Sequence, residues 1–190
     1  MSLLYPTFTL RQFGWMMVFG LVGSLIAGIY GIIHDQVTFT LGYEYFTEFK
    51  FHQFHYLDKS KPERIVVAEI GFLATWWVGF FAGWFMGRLT IPHVPLSIAV
   101  RKSFTGVLIM LITSATFAGI ARIIAPSIAE DPRMAHWQPL LMRSDVIDSV
   151  AFVQVGYIHN ASYLGGLIGL ILALLWLRVN RTHFTFITAP

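Results

Sequence analysis

The chain has 190 residues, 56% of them hydrophobic and only 12% charged, with a formal net charge of +3 and no cysteine. That balance argues against a soluble globular domain of this length, and the scatter of basic residues at the ends of apolar stretches argues against a nucleic-acid partner. Without cysteine there are no disulfides, thiolate-bound zinc or iron–sulfur clusters, so any metal would rest on His, carboxylate or Met.

Arg11 precedes an apolar run longer than a signal-peptide core of about 7–15 residues and lacks a small-x-small exit. The first helix, predicted over 13–33, is therefore read as a retained span. Further helices are predicted over 66–87, 104–124 and 152–177, each near the ~20 residues needed to cross a bilayer. The expected fold is an all-α four-helix transmembrane bundle, a single integral membrane domain over 1–190. After the first helix, Val37-Thr38-Phe39-Thr40-Leu41 alternates apolar and polar residues as a short strand does, and Gly42 ends the pattern. The aromatic run from Glu44 to His55 reads as either an interfacial helix or an extended segment; as a helix it aligns Glu44, Glu48, His52 and His55. In the second long loop, Ser144 resembles an N-cap with Asp145 and Asp148 in the first turn, which starts the last helix near 145. The tail from Asn180 to Pro190 is expected to be poorly ordered.

Charge sets the predicted orientation. All ten acidic residues fall on the side that carries 35–64 and 126–151. Arg11, Arg88, Arg101, Lys102, Arg178 and Arg181 lie on the other side, in short segments beside helix ends, where the positive-inside bias acts. Both termini should be cytoplasmic, and the two long loops extracytoplasmic. Small residues predict close helix contacts: Gly20, Gly23, Ala27, Gly28 and Gly31 on the first helix, Gly79, Gly83 and Gly87 on the second, Gly165, Gly166 and Gly169 on the last. The alternative is that they make space for a flat cofactor.

Four polar residues occupy one predicted layer. The intervals from Glu69 to Arg88, Lys102 to Arg122, His159 to Arg178 and Arg11 to His34 are 19 to 23 residues, or roughly 28–35 Å at a rise of about 1.5 Å per residue, close to the ~30 Å hydrocarbon thickness. His34, Glu69, Arg122 and His159 therefore share one membrane face, and ionisable groups at that depth are either functional or paired. The favoured reading is a metal site with His34, Glu69 and His159 as first ligands, Glu44 or Asp35 completing it, and Arg122 as a charge partner. Imidazole with carboxylate suits zinc, iron or manganese. Structural pairing of Glu69 with Arg122 is the competing explanation of the layer.

The run Tyr30-Gly31-Ile32-Ile33-His34-Asp35-Gln36, followed by Glu44-Tyr45-Phe46-Thr47, resembles the signature of a group of small bacterial integral membrane proteins of unknown function, in which a YGxxHDQ helix end precedes an EYFT motif. Ile158-His159-Asn160 and Ser162-Tyr163-Leu164-Gly165-Gly166 are similar to that group's last helix. The resemblance implies the bacterial cytoplasmic (inner) membrane and supplies no activity.

Two function classes follow: a metal-binding membrane protein acting at the extracytoplasmic face, its catalysis undetermined, or an accessory subunit of a respiratory, photosynthetic or other bioenergetic complex. His34 and His159 as axial ligands of haem b, or a quinone held by a His and a carboxylate, belong with the second. Its partners are the lipid bilayer and either other membrane subunits or further copies of the chain. No nucleophile elbow, phosphate loop or Ser/His/Asp order supports hydrolysis or nucleotide use.

Overall fold

A computed structural model of the protein describes residues 8–180. It has four helices long and apolar enough to cross a membrane: α1 (Leu10–Leu41), α4 (Glu63–Thr90), α5 (Leu96–Ile124) and α7 (Ser149–Asn180). Between α1 and α4 run α2 (Tyr43–Tyr45), a π-helical turn (Phe46–Lys50) and α3 (Phe51–Gln53); between α5 and α7 run a 3₁₀ helix (Pro132–Trp137) and α6 (Gln138–Leu141). Among the described residues there is no strand. The expected tail beyond Asn180, with His183, lies outside the described residues.

The helices outrun their apolar cores because caps end them. Thr9 and Gln12 form a reciprocal capping box at the start of α1. α5 stops at Ile124 because Ala125, which precedes Pro126, is extended, the conformation a following proline enforces. Arg133 donates to the carbonyl of Ile124 and is clasped by Asp131, whose carboxyl is held down at about 2 mainly by hydrogen bonds from Arg133.

Two expectations are corrected here. Val37–Leu41 is the last turn of α1, not a strand. The threonines that produced the alternation send their hydroxyls back to the helix: Thr38 to the carbonyls of His34 and Asp35, Thr40 to that of Gln36. Gly31, Asp35, Thr38 and Phe39 are buried at the helical period. The last helix begins at Ser149 rather than near 145. Ser144 bonds back to Leu140 at the end of the preceding turn, and Asp148 accepts from the amide of Ala151.

The bundle consists of two tight pairs. In the first, α1 lies against α4 so closely that a Cβ on Gly23 would collide with the carbonyl of Gly79, one on Gly79 with that of Gly23, and one on Gly31 with that of Gly71. Thr75 donates across this seam to the carbonyl of Ala27 at 2.8 Å. In the second, α5 lies against α7: a Cβ on Gly169 would meet the Met110 backbone at 2.8 Å, and Ser114 donates to the carbonyl of Ser162 at 2.9 Å. Small residues let backbones approach where lipid offers no hydrophobic drive for association. The two pairs face each other much more loosely. At the loop end, α2, the π-turn and α3 close over the bundle, packing Phe39, Tyr45, Phe46, Phe51, Val67 and Phe152 into one apolar cluster.

Candidate metal centre

The cluster is held by α1 and α7 and roofed by α2 and the π-turn. The end of α1 turns His34 and Asp35 toward α7, which supplies His159. One nitrogen or oxygen from each of the three lies within 4.8 Å of the others. The imidazoles are in edge contact, with centroids 4.8 Å apart and planes at 75°. His159 is 1% exposed and Asp35 5% exposed, so neither is a surface group that water satisfies.

The environment of His159 is nearly complete. Its Nε2 is 3.1 Å from the Thr38 hydroxyl and 3.9 Å from Asp35 Oδ1, and its Nδ1 is 3.3 Å from the Tyr163 hydroxyl. A threonine hydroxyl has one proton. With that proton on a carbonyl of α1, Thr38 accepts from Nε2–H, and Tyr163 then donates to Nδ1. The rings of Tyr45 and Phe46 cover the imidazole at 5.0 and 5.8 Å. His34 differs. Tyr30 stacks on it at 6.0 Å, yet its buried Nε2 has no hydrogen-bond partner among the described residues. A buried nitrogen without a partner carries a desolvation penalty, and a bound ion or ligand atom relieves it.

A buried cation lies close by. Lys50, 7% exposed, donates from Nζ to Gln53 Oε1 at 3.0 Å and sits 5.4 Å from the Phe49 ring and 5.8 Å from the Tyr45 ring. Burial pushes its ammonium pKa down, and the Asp35 carboxylate pulls the other way. The π-turn brings Lys50 inward together with Phe46; a π-turn inserts an extra residue and shifts the following side chains around the helix.

The sequence-predicted residues separate into those brought together and those placed elsewhere. His34, His159 and Asp35 converge. Glu69 instead pairs with Lys61 at 2.6 Å, near the start of its own helix, while Arg122 is exposed at the end of α5. Glu44 pins the segment entering α7, its carboxylate accepting from the amides of Ile147 and Asp148 at 2.7–3.1 Å, where negative charge is favoured beside a helix start. His52 and His55 are both exposed. The two rings of His34 and His159 touch directly, which leaves no gap for a macrocycle between them.

The remaining motif residues have structural tasks. The Tyr30 hydroxyl reaches Ser114 at 3.0 Å and thereby ties α1 to the α5–α7 pair, and Gly31 meets Gly71. Gln36 exchanges hydrogen bonds with Arg64, donating to its carbonyl at 2.7 Å and accepting from its guanidinium at 2.9 Å. Sequence reasoning missed Thr38, Tyr45, Lys50 and Tyr163. The spacing of Asp35 to Thr38 and of His159 to Tyr163 is the i, i+3 and i, i+4 signal of a shared helix face, and a helical reading of Val37–Leu41 would have exposed it. Comparison with family models, curated proteins and solved structures finds no match to the chain.

Proposed function

We propose that the protein is a multi-pass protein of the bacterial cytoplasmic membrane that binds a divalent transition metal at its extracytoplasmic face through His34, Asp35 and His159. The carrying observation is the convergence of three ligand atoms within 4.8 Å beside an imidazole nitrogen, Nε2 of His34, that has no partner among the described residues. Ligand atoms sharing a tetrahedral ion at bonds of about 2.0 Å stand roughly 3.3 Å apart, and rotation about the His and Asp side-chain torsions covers the difference. Binding at His159 Nε2 would displace Thr38, while Tyr163 at Nδ1 would keep the ring oriented, as outer groups do around metal-bound histidines. Two imidazoles and one carboxylate suit zinc, ferrous iron or manganese and leave coordination positions open. The lopsided distribution of acids and bases supports the proposed orientation, with both termini cytoplasmic.

Elemental analysis of protein purified in mild detergent and loaded separately with zinc, ferrous iron and manganese tests this. About one ion per chain is expected for at least one metal, with affinity falling roughly tenfold to a hundredfold or more in His34→Ala and Asp35→Asn. Retention unchanged in both variants, or no retention of any of the three metals, overturns the reading. Metal-free protein that co-purifies stoichiometrically with other membrane subunits supports the accessory-subunit class instead.

A further inference from the structure

Below the His34–Asp35–His159 cluster, the loosely joined faces of the two helix pairs enclose a cavity of about 780 Å³, within the range of small-molecule sites. It is elongated. It runs from the level of His34 on α1 to that of Phe81 on α4, whose neighbour Phe80 lies against Gly20; fourteen residues of α1 separate these levels, roughly 21 Å along the helix. Polarity changes along this length. His34, Asp35, Lys50 and Gln53 line the loop end, the hydroxyls of Tyr30, Tyr163, Ser114, Ser162 and Thr75 follow, already bonded within the bundle, and beyond them the wall is Trp77, Val78, Leu167 and Leu170.

Two further features give the cavity its character. Trp77 and Phe81 of α4 and Tyr163 and Leu167 of α7 line it and are 47–57% exposed. The wall between α4 and α7 is therefore not closed by packing, which offers a route for a ligand dissolved in the bilayer. The charged side chains on its wall are one acid and one base, Asp35 and Lys50, which attract each other. A charged headgroup entering here would lose its hydration and meet no unmatched counter-charge, whereas an uncharged oxygen can accept from Lys50 beside Gln53.

We propose that this cavity binds one membrane-soluble amphiphile with an uncharged, oxygen-bearing head, placed head-first at Lys50 and Gln53 with its hydrocarbon tail along Trp77, Val78 and Leu170. A prenylated quinone and an acylglycerol are two sources of that chemistry. The inference goes beyond metal binding and does not depend on it, since the chamber, its polarity gradient and its lateral opening exist without an ion.

Gly166 provides the test. It lines the cavity, and a Cβ there would find a single neighbour, Ser114 Oγ, at 3.9 Å, so a larger side chain fills the chamber without striking backbone. Purified protein in detergent with chelator present is titrated with decylubiquinone and, separately, with a bromine-tagged monoacylglycerol, following quenching of tryptophan fluorescence. At least one probe is expected to quench saturably at one per chain, with most of the quenching lost in Trp77→Phe. Gly166→Leu should weaken binding by about tenfold or more while leaving the melting temperature near that of the parent. Should Gly166→Leu fold poorly, Ala74→Leu on the opposite wall provides the same plug. Which probe binds identifies the source. No saturable quenching by either, binding unchanged in a folded plugged variant, or tighter binding of a brominated fatty acid than of both neutral probes overturns the proposal. Because chelator is present throughout, failure of the metal proposal leaves this result intact.

Discussion

Two faces of α1 show how one helix is used in opposite ways. Toward α4 it presents Gly20, Gly23, Gly28 and Gly31, and a side chain added at any of them would strike α4. Toward α7 it presents Tyr30, His34, Asp35 and Thr38, and there the structure keeps open space beside polar groups. Glycine stripes bring backbones into contact and fix the pair. Large polar residues on the other face hold the second pair at a distance, and the cavity and ligand cluster occupy the space that results.

The contrast is most sharply tested by Gly79→Leu. The added atoms would meet the carbonyl of Gly23 and the side chain of Ala27, and backbone cannot step aside as a flexible side chain does. Overpacking of this kind costs about 3 kcal/mol or more, enough to lose monodisperse protein or to lower its melting temperature sharply in mild detergent. On the opposite face of α1, His34→Ala should cost about 1 kcal/mol or less, because its unpaired nitrogen has no hydrogen bond to lose. If the two variants melt alike, the distinction between a packing face and a site face fails.

His159→Ala sharpens the comparison within the site. This imidazole is fully enclosed, bonded at both nitrogens and covered by Tyr45 and Phe46, so its removal should cost about 2–4 kcal/mol through an empty volume and stranded hydroxyls. Both histidine variants should lose metal, yet only this one should lose substantial stability. Thermal melting and elemental analysis on the same samples read the two effects separately; a stable His159→Ala protein would mean that the hydrogen bonds to Thr38 and Tyr163 contribute little.

The four spans were legible because long apolar runs bounded by charge leave few other structures in lipid. Contacts at Gly23, Gly79 and Gly169 were legible for the same kind of reason: small residues at helical spacing have a backbone consequence that does not depend on neighbours. Convergence of His34 with His159 followed from depth alone. Rotation did not. Depth placed Glu69 beside the histidines, but an error of one residue turns a side chain by about 100°, and Glu69 points to Lys61 instead. Asp35, already a candidate beside His34, is the carboxylate that lies with the histidines, and the buried face it shares with Thr38 is visible only once Val37–Leu41 is known to continue α1. Glu44 reads as a ligand by composition, whereas in the structure it holds the Ile147 and Asp148 amides just before α7, more than a hundred residues along the chain, a partner local pattern does not reveal.

Glu44→Ala comes next in size. It removes the acceptor for two amides just before α7, a loss of about 1 kcal/mol by analogy with helix caps, and Glu44→Gln should recover part of it by keeping one oxygen while losing the charge. The expected signature is local: faster amide hydrogen exchange over the first turn of α7, with metal content unchanged. Metal loss in Glu44→Ala at full stability would instead return Glu44 to the ligand set.

The smallest effect has the opposite sign and concerns a glycine outside both faces. Gly119 lies in α5, and apart from its chain neighbours and the adjacent backbone of its own helix no atom of the described residues comes within 4 Å of where its Cβ would sit. Glycine in a helix interior gives up about 0.5–1 kcal/mol relative to alanine through backbone freedom, so Gly119→Ala should raise the melting temperature slightly, while Gly23→Ala, where the same methyl group would meet the Gly79 carbonyl, should lower it. Opposite signs from identical chemistry would show that closeness of the opposing backbone, rather than glycine itself, sets the energetics of the α1–α4 seam. A drop for Gly119→Ala would mean that this stretch of α5 packs against something other than lipid, and a second chain would be the first candidate for a crosslinking experiment in native membranes.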